Sequence, residues 1–268
     1  MVELIISMNF KLGFFGLKSL VFLAIIFSGC KGIPHENMVL TLDRATYLKN
    51  DNHEISLFWT VGKNEFWEQA AKNDAGAIQL YRDTLELLMG EELLMKAIHK
   101  EAFAYPDFES YTFDNDGDKF NRYLTHGGGI GNIREINQLE SQLLELQLGR
   151  YNLIDHPTEF QAIILENEEK DSLKIYFTGS DQPWPPKGME IFEAIKIDIV
   201  KGWTVDRHLH NHYEPATNNY IGIMAPSMAD SQMYKMMKAN YGMEKALITN
   251  GFHTLEIDSS EFDEFMSH

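Results

Sequence analysis

Strand-like and helix-like patterns alternate between residues 160 and 257, and this alternation limits the possible folds more than any other feature. β-Branched and aromatic residues dominate residues 160–165 and 173–177, which flank a polar turn at 167–172. Short runs of this kind, bounded by turn residues, predict a pair of strands. The first part of this region is therefore predicted to be a hairpin.

The alternation continues toward the C-terminus. The patterns predict a helix over 188–201 that stops at Gly202, a strand over 203–212, a helix that begins at Ser227, and strands over 246–249 and 254–257. Strands that alternate with helices indicate an α/β or α+β fold. We therefore predict one α/β domain over residues 151–268.

Residues 38–150 carry a more mixed pattern. In order, they predict strands over 38–42 and 54–61, a helix over 73–104 with a break at Gly90, a loop over 105–131 and a helix over 132–149. Hence we expect a separate N-terminal region that is mixed but mainly helical. Its role cannot be named from these residues.

The first thirty residues resemble the signal peptide of a bacterial lipoprotein. Two lysines precede an apolar run of about ten residues, too short for a helix to span a bilayer core of about 30 Å. Small residues stand directly before Cys30, the only cysteine of the chain. We expect residues 1–29 to be removed, Cys30 to be lipidated and residues 30–37 to form a tether. This predicts a lipid-anchored protein of the bacterial envelope, periplasmic or surface-exposed.

Composition narrows the classes of partner. Hydrophobic residues make up 44% of the chain and aromatic residues 12%, as in globular proteins. The formal net charge of −17 repels phosphate backbones and anionic headgroups, so we expect no nucleic-acid partner. Membrane attachment is therefore expected to come from acyl chains rather than from a basic surface.

Three histidines alternate along the predicted strand over 203–212, at positions 208, 210 and 212. Side chains at i and i+2 of a strand point to the same side, so two imidazoles there can reach one metal ion. Polar histidines at a strand edge are the simpler interpretation of the same pattern. The alternation predicts a metal site and does not fix which two histidines form it.

A carboxylate follows this strand at Asp230, in the sequence Ser227-Met228-Ala229-Asp230. Serine followed three residues later by an acidic residue also predicts a capping box at a helix start. Two histidines and one carboxylate form a common ligand set of catalytic zinc, with the fourth position open. Beside the histidine strand, Asp230 is therefore a candidate third ligand.

The order of these elements resembles the JAMM (MPN-plus) family of zinc metallopeptidases over about the last hundred residues. Glu159 precedes a strand, as the family's glutamate does, and a helix and Gly202 come before the histidine strand. His210-Asn211-His212 matches the family's two histidines, and Ser227 to Asp230 matches its S-x-x-D motif. The resemblance implies a three-layer α/β sandwich of the JAMM and cytidine-deaminase-like type.

The resemblance also implies roles for the matched residues. His210, His212 and Asp230 would hold Zn²⁺, Glu159 would act as general base, and the Ser227 hydroxyl would donate to the oxyanion. Two alternatives remain open. Tyr213 stands where the family has proline, so His208 and His210 remain a possible ligand pair. Glu166, later on the same strand, is a second candidate base.

Three functions are compatible with the sequence. The first is a membrane-anchored zinc hydrolase of peptide or isopeptide bonds, acting on a peptide or protein substrate. The second is a non-catalytic MPN-like lipoprotein that binds a protein or another ligand, because a fold does not fix a function. The third is a structural or storage lipoprotein with incidental histidines.

Overall fold

The structure is a computed structural model that describes residues 39–72, 76–92, 94, 116–126, 129–183, 187–212 and 224–268. The strands are β1 (Thr46–Asn50), β2 (Glu54–Gly62), β3 (Asn132–Glu135), β4 (Phe160–Glu166), β5 (Ser172–Ser180), β6 (Thr204–Asn211), β7 (Lys245–Thr249) and β8 (His253–Asp258). The α-helices are α1 (Gly76–Met89), α2 (Asp116–His126), α3 (Gln138–Leu148), α4 (Met189–Val200) and α5 (Met228–Tyr241).

The eight strands form one mixed sheet in the order β1-β2-β5-β4-β6-β7-β8-β3. β6 and β7 are parallel and are connected through α5, whereas the other neighbouring pairs are antiparallel. Every residue of β4 is buried, and so is every residue of β6 after Thr204. His208 and His210 therefore lie on an interior strand of the sheet, and His212 directly follows it.

Helices cover both faces of this sheet. On one face, Tyr176 of β5 donates a hydrogen bond to Asp198 of α4, and α4 and α5 share a hydrophobic core cluster with the sheet. On the other face, α3 approaches Gly179 of β5 so closely that a Cβ there would lie 2.3 Å from Gln147 Oε1. Tyr176 and Gly179 are three positions apart in one strand, so they face opposite sides. The predicted α/β class is confirmed as a mixed α/β fold.

The N-terminal half contributes strands to the same sheet. β2 pairs with β5 along its whole length, and β3 pairs with β8 at the far edge. Residues Val39–His268 form one compact unit. The boundary expected between residues 150 and 151 therefore corresponds to no break in the described structure, because strands from both sides of it pair with each other.

Most predicted elements of the second half are confirmed, including β4, β5, α4, β6, α5, β7 and β8. Three predictions in the first half are wrong in part. The described residues of the predicted strand over 38–42 form no strand, and a 3₁₀ turn occupies Leu42–Arg44. The predicted loop over 105–131 contains α2, and the predicted helix over 132–149 divides into β3 and α3.

No helix among the described residues is long and apolar enough to cross a membrane. The predicted signal peptide, Cys30 and the tether over 30–37 lie outside the described residues. So does most of the segment between His212 and α5, since residues 213–223 are not described.

Candidate functional site

The histidine strand presents its imidazoles to the face of the sheet that α5 covers. His208 and His210 alternate along β6, and their ring centres lie 5.3 Å apart. The ring centre of Tyr234, on α5, lies 6.0 Å from that of His208 and 6.3 Å from that of His210. His212 directly follows β6, and its ring centre lies 4.7 Å from that of His210. The end of β6 therefore meets α5 at a cluster of rings.

The candidate ligand atoms of three residues lie close together: those of His210, His212 and Asp230. The Nε2 atoms of His210 and His212 lie 2.9 Å apart. Asp230 Oδ1 lies 3.5 Å from His210 Nε2, and Asp230 Oδ2 lies 3.5 Å from His212 Nε2. One ligand atom from each of the three residues lies within 4.8 Å of the others, so His210, His212 and Asp230 could hold a metal ion. These three residues are called the ligand group.

The spacing of these atoms suits a small divalent cation. Bonds of about 2.0–2.1 Å in a tetrahedral zinc site place neighbouring ligand atoms about 3.3–3.4 Å apart. The two Nε2 atoms lie 2.9 Å apart, and each lies 3.5 Å from a different oxygen of the Asp230 carboxylate, so all three separations are close to that value. Two imidazoles and one carboxylate also leave a fourth position for water or substrate, as catalytic zinc sites do.

The protonation states of the group suit a metal as well. Burial lowers the pKa of His210 below its ordinary value, so this imidazole is neutral at pH 7. Burial by itself would raise the pKa of Asp230, but the adjacent His210 and His212 rings hold it well below the ordinary value. A neutral imidazole and an ionised carboxylate are the forms that bind metal.

Asp230 is held in place by the start of α5. Its Oδ2 accepts hydrogen bonds from the Ser227 backbone N–H at 2.9 Å and from the Ser227 hydroxyl at 2.7 Å. The Asp230 N–H donates back to Ser227 Oγ at 3.1 Å. The predicted capping box is therefore confirmed, and it fixes the carboxylate that faces the two histidines.

Replacing Ser227 by Ala is expected to destabilise the protein by about 1–2 kcal/mol, because it removes the N-cap of α5 and one donor to Asp230. Ser227→Asn is the matched control, since asparagine caps helices as well as serine does. Urea unfolding of both variants measures the difference. Equal losses of stability in the two variants would show that the cap does not stabilise α5.

Glu159 directly precedes β4, the strand that pairs with β6. Gln161 stands opposite His210 in this antiparallel pair, and continuing the register by two residues places Glu159 opposite His212. Burial, and then the carboxylates of Asp230 and Glu159, raise the pKa of the Tyr234 hydroxyl well above its ordinary value. Glu159 therefore lies at the end of the sheet where the ligand group lies.

The two alternatives left open by the sequence lie outside this group. His208 Nε2 is 3.4 Å from Gln161 Oε1, and His208 is not among the three residues whose ligand atoms converge. Glu166 stands at the other end of β4, opposite Thr204, and its carboxylate is paired with Lys63. The geometry favours His210 with His212 as the ligand pair, and it places Glu166 away from them.

Two residues of the site were missed by sequence reasoning. Tyr234 follows Asp230 by four positions, so a helical face that includes Asp230 also includes Tyr234. Gln161 follows Glu159 by two positions on the neighbouring strand, which places both on one face. Spacing could have indicated both residues, but only the packed structure shows that Tyr234 is fully buried against the histidines.

In comparisons with known proteins, no family model, curated protein or solved structure matches this chain. The resemblance to JAMM metallopeptidases therefore remains a prediction from its residues. The function has to be inferred from the site itself.

Proposed function

We propose that the chain is a zinc-dependent hydrolase of peptide or isopeptide bonds, with a JAMM-like domain over residues 151–268. The observation that carries this proposal is that the candidate ligand atoms of His210, His212 and Asp230 lie within 4.8 Å of one another. Helices on both faces of a central sheet are compatible with the three-layer sandwich of that family.

The metal and the protein would divide the chemistry between them. Zn²⁺ at this position supplies Lewis acidity, which lowers the pKa of water and polarises a carbonyl group. His210, His212 and Asp230 would hold it and leave one position open. The ionised Asp230 carboxylate adds one negative charge to the ligand set, which reduces the local charge of a divalent cation.

Glu159 would move the proton. Its carboxylate would accept a proton from the attacking water and later give it to the leaving amine, as a general base and then a general acid. Its place directly before β4, opposite His212 when the register is continued, supports a role beside the ligand group rather than as one of the ligands. Separate residues would thus bind the metal and transfer the proton.

Ser227 would have two roles in this scheme. Its hydroxyl donates to Asp230 Oδ2, so in this structure it orients a ligand. To donate to an oxyanion, the hydroxyl hydrogen has to turn away from Asp230. Asp230 Oδ2 would still accept a hydrogen bond from the Ser227 backbone N–H. Loss of one oxyanion donor costs on the order of a hundredfold in rate.

Metal analysis and a cleavage assay on the same purified protein test this function. About one zinc per chain is expected, together with cleavage of peptide or isopeptide substrates that stops with a chelator and returns with zinc. A chain that binds no zinc would contradict the proposed hydrolase and favour the non-catalytic MPN-like alternative, because about one zinc per chain is expected only for the hydrolase. Bound zinc without cleavage would keep the metal site and reject the proposed peptide or isopeptide hydrolysis.

We propose further that lipid on Cys30 anchors the chain to the bacterial envelope, with the mature N-terminus at that cysteine. The support is the charged and apolar leader, followed by small residues directly before the single cysteine. Two or more acyl chains give stable membrane anchoring, whereas one gives marginal binding.

Replacing Cys30 by Ala is expected to abolish lipidation, so that the protein stays as precursor or leaves the membrane fraction. Detergent-phase partitioning and intact mass measure this. Gly29→Ala is the matched control, because it keeps a small residue before the cysteine and should still be lipidated. Partitioning of Cys30→Ala into the detergent phase, equal to that of the wild type, would refute the anchor.

A further inference from the structure

Three buried polar atoms lie behind the ligand group without a hydrogen-bond partner in the described structure: His208 Nδ1, His210 Nδ1 and the Tyr234 hydroxyl. The three residues are at most 1% exposed. Their ring centres lie 5.3, 6.0 and 6.3 Å from one another, so they form one cluster between β6 and α5. Buried polar groups are nearly always paired, and three unpaired ones in one cluster call for an explanation.

The neighbours of His208 fix where its proton lies. His208 Nε2 is 3.4 Å from the amide oxygen of Gln161, and this oxygen can only accept a hydrogen bond. With the Gln161 amide in this orientation, the proton of a neutral His208 ring is on Nε2. Its Nδ1 is then a lone pair that needs a donor.

The opposite arrangement holds for His210. Its Nε2 faces His212 Nε2 and Asp230 Oδ1, where a metal ligand has to present a lone pair. The proton of His210 is then on Nδ1, which needs an acceptor. A hydroxyl group both accepts and donates, so the hydroxyl of Tyr234 can satisfy both rings at once.

We propose that one internal water links the Tyr234 hydroxyl to the two rings, so that the pair of hydroxyl and water accepts from His210 Nδ1–H and donates to His208 Nδ1. Tyr234 would thus be a positioning residue that holds His210 in the tautomer able to bind metal through Nε2. This inference rests on the proposed metal site. The Tyr234 hydroxyl would complete a chain of hydrogen bonds that runs from Gln161 through His208 and Tyr234 to His210.

Two further observations fit this role. Burial, and then the Asp230 and Glu159 carboxylates, raise the pKa of the Tyr234 hydroxyl, so it keeps its proton and remains a donor at neutral pH. An internal water needs two to four polar partners, and the cluster offers three. Metal-binding histidines commonly use their second nitrogen in this way, and loss of such a partner weakens metal affinity about 10- to 100-fold.

The test uses the whole chain with Tyr234→Phe, and Tyr241→Phe on the same helix is the matched control. Two-bond ¹H–¹⁵N spectra of the metal-free protein show which ring nitrogen of each histidine carries the proton. In the wild type we expect the proton on Nε2 of His208 and on Nδ1 of His210. In Tyr234→Phe we expect His210 to gain the Nε2–H tautomer, and zinc affinity measured by chelator competition to fall about 10- to 100-fold. Tyr241→Phe should change neither.

Each outcome decides the proposal. A wild-type spectrum with the His210 proton on Nε2 overturns it, whether or not the Tyr234→Phe variant folds. An unchanged tautomer and unchanged zinc affinity in Tyr234→Phe also overturn it, and leave the metal site standing if the wild type binds zinc. A tautomer shift in a chain whose wild type binds no zinc supports the hydrogen-bond chain and rejects the proposed function.

Discussion

His212→Ala and Asp230→Asn are each expected to lose the bound metal, because two remaining ligands hold zinc poorly. Zinc in four-ligand sites is bound by about 10–16 kcal/mol, or roughly 3 kcal/mol per ligand. One lost ligand therefore weakens affinity on the order of a hundred- to a thousandfold. Asp230→Asn preserves the shape of the side chain and its acceptor for the Ser227 N–H, so it tests the charge rather than the helix cap.

Zinc content after dialysis and chelator competition measure the loss. His53→Ala is the matched control, since the His53 side chain is 79% exposed and is paired with Asp181 outside the site. If His208→Ala abolishes zinc binding while His212→Ala keeps it, His208 and His210 are the ligands instead. Retention of zinc by both His212→Ala and Asp230→Asn would contradict the whole ligand set.

The pH dependence of zinc binding has a defined sign. Protons compete with the metal for the His210 Nε2 lone pair, so affinity falls as pH falls. Burial lowers the pKa of His210 below its ordinary value, so this competition begins at a lower pH than for a histidine in solution. The His212→Ala variant has fewer ligands to hold the metal. Protonation of its remaining histidine, His210, should therefore lower zinc affinity at low pH more than it does in the wild type.

The sequence predicted the second half of the fold well because its signals are local. The polar turn over 167–172 separates two apolar runs, Gly202 ends α4, and Ser227 begins α5. Each of these signals depends on residues within a few positions of one another. The candidate histidines and Asp230 were visible for the same reason, since they follow from the alternation along β6 and from the Ser227–Asp230 spacing, although the alternation left two histidine pairs open.

The first half was harder to predict because its elements depend on distant partners. The apolar spacing after Asn132 suits a helix, yet residues 132–135 form β3 by pairing with β8, more than a hundred residues away. The capping box of Asn137 and Glu140, which separates β3 from α3, was a local signal that could have been found. α2 is tied to the C-terminal end of the chain by Asn121, which donates to the Met266 carbonyl, a contact that sequence spacing does not show.

The described structure has no break at the expected boundary between residues 150 and 151, for a related reason. Apolar periodicity identifies a strand but not its neighbours, and β2 pairs with β5 across the predicted boundary. Tyr234 was missed because tyrosine on an amphipathic helix is usually a core residue. Its position against His208 and His210 becomes evident only when α5 packs on β6.

Glu159→Gln is expected to abolish hydrolysis while zinc stays bound. The amide has nearly the shape of the carboxylate but cannot accept the proton of the attacking water, and a general base contributes about 10²- to 10⁴-fold in rate. Glu159 is not among the three residues whose ligand atoms converge, so the metal should remain. Steady-state cleavage and zinc content of the same preparation measure both effects.

Two further variants make this result specific to Glu159. Glu168→Gln removes an exposed carboxylate from the turn after β4 and should leave both rate and zinc content unchanged. Glu159→Asp keeps a carboxylate on a shorter side chain. It should recover only part of the rate that Glu159→Gln loses, because a base acts only within hydrogen-bond reach of its proton.

Zinc loss in Glu159→Gln as complete as in His212→Ala would make Glu159 a ligand instead of the base. Full activity in Glu159→Gln would show that Glu159 does not take part in the reaction. Another group would then have to accept the proton. Glu166 is a poor candidate for that group, because it lies at the opposite end of β4 and is paired with Lys63.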